Sequence, residues 1–222
     1  MTYCGERTLQ STVEGVKTAI SLRCRSWGCK DCSPQRKRQL VAKGISGSPN
    51  RLITLTSRHR KDQTPEDAAK ALVRAWRLIR RTIKKQNPNE KVEFLAVFEQ
   101  TQTGWPHLHI LVRSAWLDQH WLSAQMARLT DSPIVDIRAV HNQRGVASYV
   151  SKYIGKAPGK FGTLKRYWTS QAYELINKIA GRKKVVWSIE KMSLAQWANM
   201  WSKFGFVITW LGTDRVEASK PP

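Results

Sequence analysis

The stretch FEQTQTGWPHLHIL, residues 98–111, holds the first residues whose types and spacing could do chemistry. Side chains alternate faces along a strand, so His107 and His109 share one face while Leu108 takes the other. Two imidazoles on one strand face form a metal-binding edge, although a His-x-His pair can equally be structural. A Gly-Trp-Pro turn at 104–106 folds the preceding run back as the partner strand, which brings the Glu99 carboxylate beside the two rings. Two histidines and one carboxylate leave coordination positions open for a phosphate oxygen and water, as a catalytic metal requires.

The second group is YVSKYIGK, residues 149–156, in which Tyr149-x-x-Lys152 is followed by Tyr153-x-x-Lys156. Residues i and i+4 share a helix face, so both phenols can address one phosphate if this helix lies over the metal edge. A free phenol has a pKa of about 10, so at pH 7 its ionised form is disfavoured by roughly 4 kcal/mol. An ammonium such as that of Lys152 or Lys156 offsets part of this by stabilising phenolate or the charge developing on phosphorus. On residue types alone, the competing reading is a surface helix with a packed aromatic face and solvated lysines. A third group is Cys4, Cys24, Cys29 and Cys32. Cys29-x-x-Cys32 has knuckle spacing, and four thiolates complete a tetrahedral zinc site, against the alternative of free cysteines. The basic run Arg36-Lys37-Arg38 follows directly and would present cations to duplex or hairpin phosphates.

These groups need elements to position them. RLITLTSR (51–58) reads as a strand, and 64–86 as an amphipathic helix with proline and acids in its first turn. Strands follow at 91–101 and 107–112, then a helix over 117–129 and a strand over 133–140. A helix carrying the tyrosines then stops at Pro158-Gly159. A strand near 184–190, a helix near 193–203 and a strand in FVITWL complete the reading, while residues 1–50 read as irregular. The pattern predicts an α+β fold, a central antiparallel sheet flanked by helices with a small Cys-rich N-terminal segment. The expected division is 1–48 Cys-rich and basic, 49–160 catalytic core, and 161–222 a basic-aromatic extension completing the core.

The order of a Thr-containing strand (Ile53-Thr54-Leu55-Thr56), a His107-Leu108-His109 motif and a Tyr-x-x-Lys helix resembles the HUH-type endonucleases, the rolling-circle replication initiators and their relatives. Two tyrosines resemble the form found in small single-stranded DNA phages and some plasmids. The resemblance spans about 51–156. It implies that His107, His109 and Glu99 hold Mg²⁺ or Mn²⁺, and that Tyr149 or Tyr153 forms a 5′-phosphotyrosine link, assisted by Lys152 and Lys156. It implies nicking and rejoining of single-stranded or hairpin origin DNA, with a separate helicase and polymerase. No Gly-x4-Gly-Lys-Ser/Thr motif is present, and transesterification needs no ATP.

Charge agrees with that partner. The 222-residue chain has 38 Lys+Arg against 16 Asp+Glu, a formal net charge of +22, which points to a polyanion. Eight basic residues and no acid separate Asp31 from Asp62, and seven and none separate Asp136 from Glu174. From these blocks Arg36, Lys37, Arg38, Arg58, Lys165 and Arg166 are the candidate DNA contacts. Trp27, Trp105 and Trp168 lie in basic loop-like contexts and are candidates for base stacking or for capping the core. No apolar run approaches the roughly 20 residues of a membrane span, and no secretion-signal layout is present. The expected setting is the bacterial cytoplasm, with a phage or plasmid origin. Two other functions fit parts of the pattern: a two-tyrosine single-strand DNA transposase, and a non-catalytic zinc-containing DNA-binding regulator.

Overall fold

The computed structural model describes residues 4–115, 117–140, 152, 158–174 and 185–221. The fold is α+β, with two antiparallel sheets and, among the described residues, four helices. The chain divides into two compact units, one of residues 37–177 and one of residues 1–36 with 178–222.

The larger unit is built on β3 (Arg51–Thr56), β4 (Glu93–Gln100), β5 (Pro106–Arg113), β6 (Val135–Ala139) and β7 (Tyr167–Thr169), in the order β6-β3-β5-β4-β7. One sheet face is apolar. Ile53, Leu55, Phe94, Ala96, Phe98, Leu108, Ile110 and Val112 pack there against α2 (Pro65–Gln86) and α3 (Gln119–Thr130). Helix α2 begins where Thr64 accepts a hydrogen bond from the Asp67 amide and Pro65 presets the first turn. Its buried residues Ala68, Leu72, Ala75, Trp76, Ile79 and Ile83 recur at three- and four-residue steps, so burial of that stripe holds the helix to the sheet. Asp118 caps α3, and Asp131 ends it in the left-handed conformation with φ of 57°.

The smaller unit holds β1 (Thr8–Val13), β2 (Val16–Ser21), β8 (Ser188–Glu190), β9 (Val207–Trp210) and β10 (Arg215–Ser219), in the order β8-β1-β2-β10-β9. Helix α4 (Leu194–Lys203) covers one face, where Leu194, Trp197 and Ala198 bury Ala19, Val216 and Ala218. Residues 1–50 are therefore not irregular, because they contain β1, β2 and α1 (Cys32–Ser46). Glu14 and Gly15, both at positive φ, turn β1 into β2 as a two-residue hairpin loop. Among the described residues no helix is long and apolar enough to cross a membrane.

Candidate functional site

The apolar face of the larger sheet leaves alternate residues for the opposite face. Register does the rest: Glu99 lies opposite His107 across β4–β5, while Thr54 lies opposite His109 across β3–β5. The turn holding β4 to β5 is closed by the Thr101 amide donating to the Trp105 carbonyl at 2.9 Å, with Gly104 at φ of 85°. One ligand atom from each of Glu99, His107 and His109 lies within 4.8 Å of the others, so the three can converge on one ion.

His109 is 4% exposed and sits between two partners. Its Nε2 is 2.6 Å from Glu99 Oε2, and its Nδ1 is 3.1 Å from Thr54 Oγ1. A hydroxyl both donates and accepts, so Thr54 can serve either ring tautomer. A cation between Glu99 and Nε2 would take the place of a proton, and the ring would then donate from Nδ1 to Thr54. Oxygen and nitrogen ligands about 2.1 Å from an ion stand roughly 3 Å apart at right angles, so the 2.6 Å pair must open only slightly to admit one. Burial, followed by the neighbouring His109, lowers the His107 pKa, while Glu99 opposes this. His107 is thus biased towards the neutral form that a metal ligand needs.

The expected nucleophiles Tyr149 and Tyr153, with Lys156, lie outside the described residues. Lys152 is helical and exposed. The chain from Pro158 onward is anchored to the backbone of β4, the strand that carries Glu99. The Gly159 amide donates to the Phe98 carbonyl at 2.7 Å, and a Cβ on Gly159 would stand 3.2 Å from the Glu99 carbonyl carbon. Arg166 donates to the Pro158 carbonyl, and Phe161 packs edge-on against Phe98 at 5.3 Å between centroids. Among the other tyrosines, Tyr173 is buried, donates to the Gly44 carbonyl at 2.8 Å, and has its phenol pKa pushed up by burial. That phenol is a packing element rather than a nucleophile.

The cysteines also converge, with ligand atoms within 4.8 Å of one another. Their long sequence gap has a simple cause. The Gly5 amide donates to the Leu22 carbonyl and the Leu22 amide to Arg7, so Cys4 and Cys24 flank the open end of the β1–β2 hairpin. Cys32 begins α1, and Cys29 lies in the turn before it. Cys4 Sγ is 3.3 Å and Cys24 Sγ 3.7 Å from Cys32 Sγ, close to the roughly 3.8 Å edge of a zinc–thiolate tetrahedron. A backbone hydrogen bond at Cys24 leads the effects that lower the Cys4 pKa to about 7, whereas burial first, then Cys4, raises Cys32 to about 12.

The remaining candidates are spread out. Arg38, Arg58 and Lys165 are exposed, and Lys37 is half-buried. Arg36 lies 4.5 Å over the Trp27 ring and donates to the Arg25 carbonyl. Trp105 is buried under His59 at 4.4 Å between centroids, and Trp168 packs on Phe98, so both serve the core. Sequence reasoning missed Thr54 as a partner of His109. Its position on the strand preceding the hairpin was visible, but the pairing of β3 with β5 was not.

Fold and site thus define an α+β protein carrying a two-histidine, one-carboxylate candidate metal centre and a separate four-cysteine cluster. Residues 50–158, or 109 of the 222, match the family of replication-associated proteins of the ORF2 type. The match covers just under half of the chain and marks that segment as similar to this family of replication-associated proteins. No curated protein and no solved structure matches the chain.

Proposed function

We propose that the protein initiates rolling-circle replication by nicking and rejoining single-stranded origin DNA. The observation that carries this reading is the convergence of Glu99, His107 and His109 on one sheet face, with Gly159, three residues after Lys156, hydrogen-bonded to β4, the strand that carries Glu99. The three side chains would hold Mg²⁺ or Mn²⁺. An ion held there supplies Lewis-acid polarisation of a phosphoryl oxygen. Thr54 orients His109, and the lowered pKa of His107 keeps its lone pair available near neutral pH.

Tyr149 or Tyr153 attacks the scissile phosphorus. The phenol gives up its proton, the new bond joins the phenolic oxygen to phosphorus, and the bond to the 3′-oxygen breaks. That oxygen takes up a proton and leaves as a 3′-OH that can prime synthesis, while the 5′-phosphate stays on tyrosine. Reversal by a 3′-OH rejoins the strand, and the second tyrosine permits another cut while the first still holds an end. Lys152 and Lys156 stabilise the developing negative charge. The cysteine cluster would hold structural zinc, with Arg36, Lys37 and Arg38 following it as phosphate contacts.

The test uses 5′- and 3′-labelled single-stranded oligonucleotides from the cognate origin, with and without Mn²⁺. A denaturation-resistant adduct on the 3′ cleavage fragment, lost in Tyr149→Phe/Tyr153→Phe, is expected. Binding without any nick or adduct on the cognate origin would refute the reading in favour of a non-catalytic regulator. Adduct formation confined to transposon ends would instead favour a transposase.

A further inference from the structure

We propose that the outer face of α2 is a second DNA-binding surface, one that holds the phosphates of duplex DNA independently of sequence. Between Asp67 and Glu90 the chain has seven basic residues and no acid. Arg80 is not part of this surface, because it lies over the Phe94 ring at 4.3 Å in the core wall. Lys70 pairs with Glu66 at 3.0 Å. The other five, Arg74, Arg77, Arg81, Lys84 and Lys85, are exposed and, among the described residues, make no ion pair with a carboxylate. At 3.6 residues per turn they fall within roughly 100° of arc and about 16 Å of helix length. The centre of that arc lies nearly opposite the buried stripe of Leu72, Trp76, Ile79 and Ile83.

A solvated helix face ordinarily mixes signs at three- and four-residue spacing, because like charges there destabilise the helix. Here Arg74–Arg77, Arg77–Arg81, Arg81–Lys84 and Arg81–Lys85 all repeat the same sign. A polyanion relieves that repulsion. The apolar side of α2 is already consumed by the core, so this face has nothing to insert into a lipid surface and no apolar centre for a protein interface. It also carries no exposed aromatic ring on which unpaired bases could stack. Cations alone, in a straight row, suit the backbone of a duplex. The candidate metal centre lies on the other face of the sheet, so a duplex on α2 leaves it accessible to a separate single strand. Only the choice of DNA as the polyanion rests on the replication reading.

The test measures anisotropy of a labelled random-sequence 30-base-pair duplex with the full chain, without added divalent ions, at several NaCl concentrations. Each phosphate contact contributes about 0.9 to the slope of log affinity against log salt. Arg74→Gln/Arg77→Gln/Arg81→Gln/Lys84→Gln should flatten the slope by about 3 to 4. A control with the same charge loss, Lys30→Gln/Lys191→Gln/Lys203→Gln/Lys220→Gln, should change it by less than 1. Arg74→Lys/Arg77→Lys/Arg81→Lys should keep the wild-type slope, which separates charge from folding. Equal slopes for the glutamine variant and the control overturn the proposal. So does loss of binding to phosphatidylserine vesicles with the duplex slope unchanged. Nicking of single-stranded origin oligonucleotides, assayed in parallel, should persist in the glutamine variant, and its absence in the wild type would refute only the catalytic reading.

Discussion

Thr54→Val isolates the hydrogen bond that steers the buried imidazole. Valine keeps the shape of threonine but has no hydroxyl, so the 3.1 Å contact with His109 Nδ1 disappears while the strand packing stays. The ring remains wedged beside Glu99, with Nε2 still 2.6 Å from the carboxylate in the ion-free state. Loss of the contact should cost about 0.5–1.5 kcal/mol of folding stability. The larger effect should fall on the ion, because a metal-bound Nε2 leaves the proton on Nδ1 with one acceptor fewer. Removing such an outer partner costs 10- to 100-fold in metal affinity, which is about 1.4–2.7 kcal/mol. Thr56→Val is the control. Thr56 lies opposite His107 on the same strand, but its side chain makes no hydrogen bond among the described residues. Titration with Mn²⁺, followed by the loss of free-ion paramagnetic resonance signal, should show the weakening in Thr54→Val and a change within about twofold in Thr56→Val. Wild-type affinity in Thr54→Val, with binding abolished in His109→Ala, would refute the orienting role of Thr54. Absence of His109-dependent binding in the wild type would refute the metal centre itself.

Further outcomes concern His107, Gly47 and the cysteine cluster. Because burial and His109 hold the His107 pKa below the ordinary imidazole value, Mn²⁺ affinity measured calorimetrically should persist at pH 6.5, where a free imidazole is half protonated, and fall only at lower pH. The same depressed pKa means that the unfolded chain binds the extra proton first, so the ion-free protein should lose stability as pH drops below about 6.5. Gly47→Ala should destabilise by about 1–3 kcal/mol in urea denaturation, since the added Cβ would enter the ring of buried Tyr173. Elemental analysis should find one zinc per chain, lost in Cys24→Ser/Cys29→Ser. Zinc affinity should rise with pH, because the Cys32 thiol, raised to about 12, must give up its proton to bind.

Much of the larger unit was legible in the sequence because its signals are local. The apolar spacing and first-turn proline of α2, the alternation in His107-Leu108-His109 and the Gly104 turn each act over a few residues, and the helix and hairpin they predicted are present. The smaller unit was not legible in the same way. Glu14-Gly15 closes a hairpin without the usual Asn-Gly or Asp-Gly signal, and β1 owes its edge pairing to β8, about 180 residues later. Long-range pairing leaves no periodicity in either strand alone.

By itself the sequence determined the residue types that can bind a metal, their shared strand face and the charge that selects a polyanion. Only the tertiary structure decided which of them meet. Register across β4–β5 and β3–β5 placed Glu99 opposite His107 and Thr54 opposite His109, and a one-residue slip would have turned those side chains to the other face. The hairpin β1–β2 likewise brought together Cys4 and Cys24, which lie far apart in the sequence. Alternation is a property of a single strand, whereas convergence depends on how strands pair, and pairing is set by the core that both strands bury.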